Sequence, residues 1–366
     1  MCYHICMSDY TEQRDKKYLE KLRNDILPGL PFFCEDYMVG ISSSTTVLSR
    51  YNYATDLVTF FNFLVTEVRI FQGKTITDIT LSDMNDIKSR DIERYLDYLN
   101  GYYTASTDTY RTNSDKTKAR KFCAVRGLFK YLYTHDMIAE NVTTKVRVPK
   151  VREKEIVRLE NDEVNEVFEV LDEDSSFISL MQNNYNNRNT KVRDIAIITL
   201  LLNTGIRVSE CVGLNVSDID FKKNSFLVTR KGEKRSILYF NDEVKDALEA
   251  YLVAREEQLS KKNIAPDDVS ALFLSLQNKR ITVRAVEILV KKYTKLVTPL
   301  KNISPHKLRS TFGTALYRAT KDIYVVAEVL GHKDINTTKK HYAAISEDIK
   351  KEASEKINFG HNTDED

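Results

Sequence analysis

Between residues 46 and 134 apolar side chains recur three times at helical spacing, with no strand pattern between them. Leu57, Phe60, Phe61 and Leu64 follow i, i+3, i+4, i+7, the signature of an amphipathic helix over about 46–66. Ile92, Tyr95, Leu96 and Leu99 share one face of a second stretch, 89–100, beyond a polar connector at 78–86. Phe122, Val125, Leu128, Phe129 and Leu132 stripe a third, 114–134. Helices with one apolar stripe must bury it against one another, so residues 21–142 read as a small all-helical domain. Ahead of it, residues 1–20 are polar and read as a loose tail, with Met7 a second candidate start. Leu19 and Leu22 mark a short helix that ends before Pro28.

The third helix carries Lys116, Lys118, Arg120, Lys121, Arg126 and Lys130 off its stripe, with almost no acidic residue placed for i, i+4 pairing. Such a face is either solvated or turned to phosphates. Net charge does not decide, being only +2. Residues 143–158 then alternate cations, Lys145, Arg147, Lys150, Arg152, Lys154 and Arg158, with Val and Glu, and Pro149 blocks a helix. They read as an extended basic connector between domains.

The second domain is read over 159–345, mixed but mostly helical. A helix carries Val164, Val167, Phe168 and Leu171; an Asn-rich polar loop spans 172–190; an apolar helix, 192–202, stops at Asn203-Thr204-Gly205. Ser225–Thr229 and Arg235–Phe240 alternate as strands of a hairpin with Lys231-Gly232 at its tip. Helices follow at 243–258 and 282–297, the latter with a basic edge of Lys291, Lys292 and Lys295; Gln277 and Arg280 precede it as candidate DNA contacts. Pro305 sits where Pro opens helices, so His306 and Arg309 share a face in the first turns, near a partially positive helix end. Asp322 is placed to cap a helix ending at Gly331, followed by His332. A short helix presents Tyr342. Ile345, Ile349 and Ala353 mark a last amphipathic helix within 346–366, whose end is an acidic tail.

Several classes are excluded or disfavoured by what is missing. At 42% apolar residues the chain is globular. No apolar run approaches the roughly 18 residues of a membrane helix. The start is polar, and the five cysteines are odd in number without metal spacing, which reads as reduced thiols in a cytoplasmic protein. There is no phosphate-loop pattern of a nucleotide motor, and no carboxylate cluster that fits a two-metal nuclease. No cofactor and no metal are expected.

Read together, Thr204-Gly205-Ile206-Arg207-Val208-Ser209-Glu210, Lys231-Gly232, His306-Lys307-Leu308-Arg309, Leu330-Gly331-His332 and Tyr342 form an ordered series. It resembles the tyrosine recombinases, which include phage and transposon integrases and Xer-type resolvases. Lys231 lies 24 residues after Arg207 and Tyr342 ten after His332, spacings that family shows. The resemblance covers about 45–345. It implies a helical core-binding domain plus a catalytic domain closing as a C-shaped clamp on double-stranded DNA. It implies six catalytic residues, Arg207, Lys231, His306, Arg309, His332 and the nucleophile Tyr342, with Glu210 supporting. Lys116, Lys118, Arg120, Lys121, Arg126, Lys150 and Arg152 are then candidate DNA contacts. A dimer on one site and a homo-tetramer on two would follow, with a directionality or partner protein a further candidate. Ile345 and Ile349 would anchor a helix docked on a neighbouring subunit, or serve as ordinary core.

The expected activity is site-specific cleavage and rejoining of DNA through a 3′-phosphotyrosyl bond, without metal or ATP. A type IB topoisomerase-like enzyme and a non-cutting DNA-binding module are the alternatives. The helical first half and the chain length favour the recombinase, as does the presence of all six residues. Between integrase and chromosome-dimer resolvase the residues leave the choice open. The lack of a long separate domain before residue 45 leans toward a simple recombinase, and the Asn-rich loop leans the other way.

Overall fold

The computed structural model describes residues 10–104, 108–148, 157–172, 188–230, 235–260, 266–332 and 354. It divides into two compact units, Met1–Lys154 and Glu155–Asp366. The expected fold class, mainly helical with a small β-hairpin and sheet, is what the coordinates show.

In the first unit α1 (Tyr10–Lys21), α2 (Phe33–Gly40), α3 (Val47–Glu67), α4 (Leu81–Asp86), α5 (Ser89–Tyr98) and α6 (Asp115–Thr134) surround one core. The three stripes read from sequence meet inside it. Phe60 and Phe61 of α3, Tyr95 of α5, and Phe122 and Phe129 of α6 are all fully buried. Phe60 meets the Tyr95 ring edge-on at 5.1 Å between centroids, a favoured aromatic geometry. Caps set the helix starts: Ser49 N donates to Thr46 Oγ1 at 3.2 Å, and Thr117 N to Ser114 Oγ at 3.3 Å.

Three local expectations are corrected here. Residues 10–20 are not a loose tail: α1 begins at Tyr10 and runs on through a π-helical turn (Leu22–Ile26). Its support is tertiary, with Tyr18 against Tyr51 at 5.1 Å and the buried Leu22 at its end. A two-residue antiparallel hairpin, β1 (Tyr102–Tyr103) with β2 (Tyr110–Arg111), interrupts the helices, pairing Tyr103 with Tyr110. The connector is not extended from its start either. Val142–Lys145 forms a 3-10 turn, with Val142, Thr143 and Val146 buried and the two valines in this unit's core. Burying apolar side chains outweighs the expectation drawn from its cations.

The second unit contains α7 (Asn161–Asp172), α8 (Arg188–Thr204), α9 (Val208–Cys211), α10 (Asp242–Ser260), α11 (Pro266–Val269), α12 (Val283–Val297), α13 (Pro305–Thr320) and α14 (Ile323–Leu330). Its sheet has the order β3 (Ile219–Asp220), β4 (Ser225–Thr229), β5 (Arg235–Tyr239), all antiparallel, with Thr229 opposite Arg235 at the hairpin end. The apolar α8 packs on both α10 and α13 and is buried through Ala196, Ile197, Ile198, Leu200 and Leu201. It thereby holds the two ends that matter for the site, its own C-terminus and the start of α13. Most of the Asn-rich loop and the helix around Ile345 and Ile349 lie outside the described residues. Among the described residues no helix is long and apolar enough to cross a membrane.

Candidate active site

The site is built where helix ends converge. Helix α8 closes at Thr204, whose hydroxyl donates back to Leu200 O at 2.6 Å. Gly205 then turns with φ +59°, a conformation costly for any residue with a Cβ. A methyl there would also sit 2.3 Å from Cδ1 of Phe312. This tight turn delivers Arg207 to the start of α9. Glu210, one turn on, folds back over it: Arg207 N donates to Oε2 at 3.1 Å and Nη1 to Oε1 at 2.7 Å. The other arm of the fork, Nη2, donates to Gly331 O at 2.8 Å.

Arg309 comes to the same place from α13. Pro305 opens that helix behind the cap residue Ser304, and His306 lies exposed in its first turn, as the Pro position implied. Arg309 is only 5% exposed, which demands that its charge be met. Nη1 donates to Gly205 O at 2.5 Å, and Nη2 donates to Leu330 O.

The common acceptor is the C-terminus of α14. Asp322 starts this helix by accepting from Tyr324 N at 2.7 Å. Gly331 ends it with φ +61°, its N–H bonded to Glu328 O, while His332 N bonds to Ala327 O at 2.9 Å. A helix end leaves carbonyls without intrahelical partners and carries partial negative charge. A third arginine uses two carbonyls of this end: Arg230 Nη2 donates to Val329 O at 2.9 Å and Nη1 to Glu328 O, which also accepts from Gly331 N, at 3.3 Å. Burial pulls the Arg230 guanidinium below its ordinary pKa; Glu210 opposes this, and nearby Arg207 adds to it. Three guanidiniums and one carboxylate therefore surround one helix end, and His332 is the next residue on the chain. Such a cluster is net positive and suited to an anion with several oxygens.

Arg207, Glu210 and Arg309 are thus brought together, with His332 adjoining. His306 is on the Arg309 helix, one turn earlier. Lys231 and Tyr342 lie outside the described residues, as do Lys150 and Arg152. Arg230 was missed by sequence reasoning. Its one signal was position, a second cation directly before Lys231, but its partners lie 98 and 99 residues away.

The basic helix α6 divides its cations. Lys116 and Arg126 are exposed, Arg126 resting 5.8 Å over the Phe122 ring. Lys118 pairs with Asp115 at 2.8 Å and donates to Asn100 Oδ1 at 3.0 Å. Arg120 and Lys121 are held by Asp56 of α3, itself 1% exposed. Lys121 is 7% exposed and also donates to Thr59 Oγ1 at 3.0 Å. The expectation that Lys121 faces a phosphate is corrected: its ammonium is committed to a buried carboxylate. Arg280 is half-buried and likewise committed within the protein, with Nη1 on Val212 O and Leu214 O and Nη2 on Asn215 Oδ1 at 2.6 Å, whereas Gln277 is exposed.

Comparison with known proteins decides the family. The model of the phage integrase family matches residues 158–348, which span the whole arginine cluster. Tyrosine recombinase XerC of Caldanaerobacter subterraneus subsp. tengcongensis is 34% identical over 293 residues, covering 78% of this chain and 75% of that protein. Tyrosine recombinase XerS of Streptococcus equi subsp. zooepidemicus is 31% identical over 351 residues, covering 90% of this chain and 96% of that protein. The chain belongs to the phage integrase family, the tyrosine recombinases. Recombinases of this family cleave and rejoin DNA strands.

Solved structures agree on the fold. The XerH site-specific recombinase in a post-cleavage complex with palindromic difH substrate superposes with a TM-score of 0.61 at 18% identity, covering 94% of this chain and 96% of that one. The Tn1549 transposon integrase with transposon right-end DNA gives 0.55 at 20% identity, covering 84% and 94%. Among the described residues of this recombinase no group of three or more His, Cys, Asp or Glu side chains is placed to hold a metal ion.

Proposed function

We propose that this recombinase is site-specific and cuts each strand with Tyr342, using Arg207, Lys231, His306, Arg309 and His332 and needing neither metal nor ATP. The observation that carries the reading is the convergence of Arg207 and Arg309 on the end of α14 beside His332. A phosphodiester repels nucleophiles, and a tyrosine hydroxyl, with a pKa of about 10, is a weak one. Planar guanidinium forks answer the first difficulty by bonding the non-bridging oxygens and stabilising the charge that grows on them. His306 and His332 add donors to those oxygens or take up the tyrosine proton. The tyrosine oxygen bonds to phosphorus, the bond to the 5′ oxygen breaks, and Lys231 supplies the proton that the departing oxygen needs. The resulting 3′-phosphotyrosyl ester keeps the energy of the broken bond, so rejoining is the same step reversed with a new 5′ hydroxyl.

The first unit is read as the core-binding domain and the second as the catalytic domain, both acting on duplex DNA. A dimer on one site and a tetramer on two follow from the exchange of strands between duplexes. The XerS likeness extends over 96% of that relative, which favours a Xer-type resolvase over a mobile-element integrase.

Covalent trapping tests this. Purified protein is mixed with nicked duplexes drawn from the DNA flanking its gene and from the chromosome terminus, in EDTA and without ATP. A denaturing gel is expected to show a protein–DNA adduct, and Tyr342→Phe to bind DNA but form none. An adduct formed by Tyr342→Phe would remove Tyr342 from the mechanism, and dependence on added metal or ATP would remove the cofactor-free reading. A terminus site that traps supports the resolvase; a gene-flanking site that alone traps supports the integrase.

A further inference from the structure

Strand β4 ends at Thr229, and the chain leaves the described part of the hairpin through Arg230. The Arg230 side chain is tied down. Both Nη atoms donate to carbonyls at the end of α14, Val329 and Glu328, and its Nε is buried with no hydrogen-bond partner. Gly331 makes room for this. A Cβ there would fall 1.6 Å from Arg230 Nη1, so the guanidinium occupies the space that a side chain at 331 would need. The same helix end takes Arg207 at Gly331 O and Arg309 at Leu330 O.

This geometry sets Arg230 apart from Arg207. Arg207 is bound by a carboxylate and one carbonyl and keeps about a third of its side chain exposed. Arg230 directs both arms of its fork at backbone. Arg309 does the same from within α13, whereas Arg230 does it from the end of β4 and so acts as a fastener there. What it fastens is the strand end from which the chain passes to Lys231, with consecutive Cα atoms about 3.8 Å apart. A long lysine side chain with four rotatable bonds reaches a target reproducibly only when its starting point is fixed.

We infer that Arg230 is a positioning residue. It anchors the end of β4 on the C-terminus of α14 and so fixes the backbone one residue before Lys231. The inference rests on the reading of Lys231 as the acid that protonates the 5′ oxygen.

The test uses that role. In single-turnover cleavage the bond to the 5′ oxygen breaks and the electron pair leaves with oxygen, which needs a proton. Replacing that bridging oxygen by sulfur gives a thiolate, whose conjugate acid has a pKa of about 8.5 and which departs without a proton donor. Full-length Arg230→Met is expected to cleave the oxygen substrate about 10²-fold more slowly than the parent. It should return to near the parent rate on the sulfur substrate, with DNA affinity unchanged. Lys231→Ala is run alongside and is expected to show the same rescue, whereas Arg207→Ala is not. If Lys231→Ala is rescued by sulfur and Arg230→Met is not, Arg230 acts as a structural cap or a charge, and the inference falls alone. If sulfur fails to rescue Lys231→Ala, the acid assignment itself falls and takes the inference with it. Parent-like cleavage of the oxygen substrate by Arg230→Met also overturns it. Should Arg230→Met fail to melt cooperatively, Arg230→Gln, too short to reach both carbonyls yet still polar, carries the same comparison.

Discussion

Two cation clusters, one in each unit, are satisfied differently. In the first, Lys121 and Arg120 are met by the carboxylate of Asp56. In the second, Arg309 and Arg230 are met by backbone carbonyls at helix ends, and of its three arginines only Arg207 has a carboxylate, Glu210. A carboxylate cancels a charge. A carbonyl fixes the geometry of a guanidinium and leaves its charge in place. The first arrangement consumes cationic potential to join α3 to α6. The second preserves it at a point where a phosphodiester can be held. Counting basic residues cannot tell these apart, because the difference lies in the acceptor.

The largest effect that probes this contrast is expected from Lys121→Met. It strands the Asp56 carboxylate, 1% exposed, without its buried ammonium partner, which typically costs about 3–5 kcal/mol. The pH dependence has a definite sign. Burial raises the pKa of Asp56, while Lys121 and Arg120 pull it back. An acid with a raised pKa in the folded state binds its proton more readily there. Stability therefore falls as pH rises from the unfolded carboxylate value, about 3.9, through the folded one. Removing Lys121 raises that pKa further, so urea denaturation should show the deficit of Lys121→Met largest at neutral pH and shrinking in acid. Adding Asp56→Asn should recover part of it. A variant that kept its stability but lost about one unit of salt-dependence slope in DNA binding would instead make Lys121 a phosphate ligand.

On the other side of the comparison, Arg309→Met is expected to slow single-turnover cleavage by about 10²–10³-fold, the usual scale for removing one preorganised donor from a developing charge. Arg309→Lys should rescue little of it, because one ammonium cannot reach Gly205 O and Leu330 O together and still face a phosphate. Cleavage at the parent rate by Arg309→Lys would mean that only the charge matters there, and the contrast between carbonyl-held and carboxylate-held cations would lose its point.

How much of this was legible depended on the range of the interaction. The stripes of α3, α5 and α6 repeat within a few residues, so period alone located them. Gly205 before Arg207, Pro305 before His306 and Gly331 before His332 announce helix ends through backbone constraints that act locally. What stayed hidden is non-local. Asp56 sits 65 residues before Lys121, beyond any test of neighbouring charges, so the basic face of α6 read as more available than it is. Arg230 finds its carbonyls 98 and 99 residues on. Helix α1 has no buried residue of its own, and its packing rests on Tyr51 of another helix. The β1–β2 hairpin is two residues per strand, too short for an alternating pattern to register.

The smallest expected effect sharpens the same contrast within α6 itself. Arg126 is exposed and has no carboxylate partner among the described residues, whereas Arg120, with 49% of its side chain exposed, is held by Asp56. A cation that meets a phosphate releases a counterion, and each such contact contributes about 0.9 to the slope of log affinity against log salt. Arg126→Ala should lower the slope by about that amount if Arg126 reaches DNA, with thermal stability unchanged. Arg120→Ala should lower it less, since Arg120 must first surrender Asp56, and it should also cost some stability by leaving that carboxylate with Lys121 alone. Equal slope changes for the two, measured by titrating labelled duplex at several salt concentrations, would show that Asp56 does not withhold Arg120 from DNA. The division of α6 into structural and available cations would then have to be redrawn around Lys121 only.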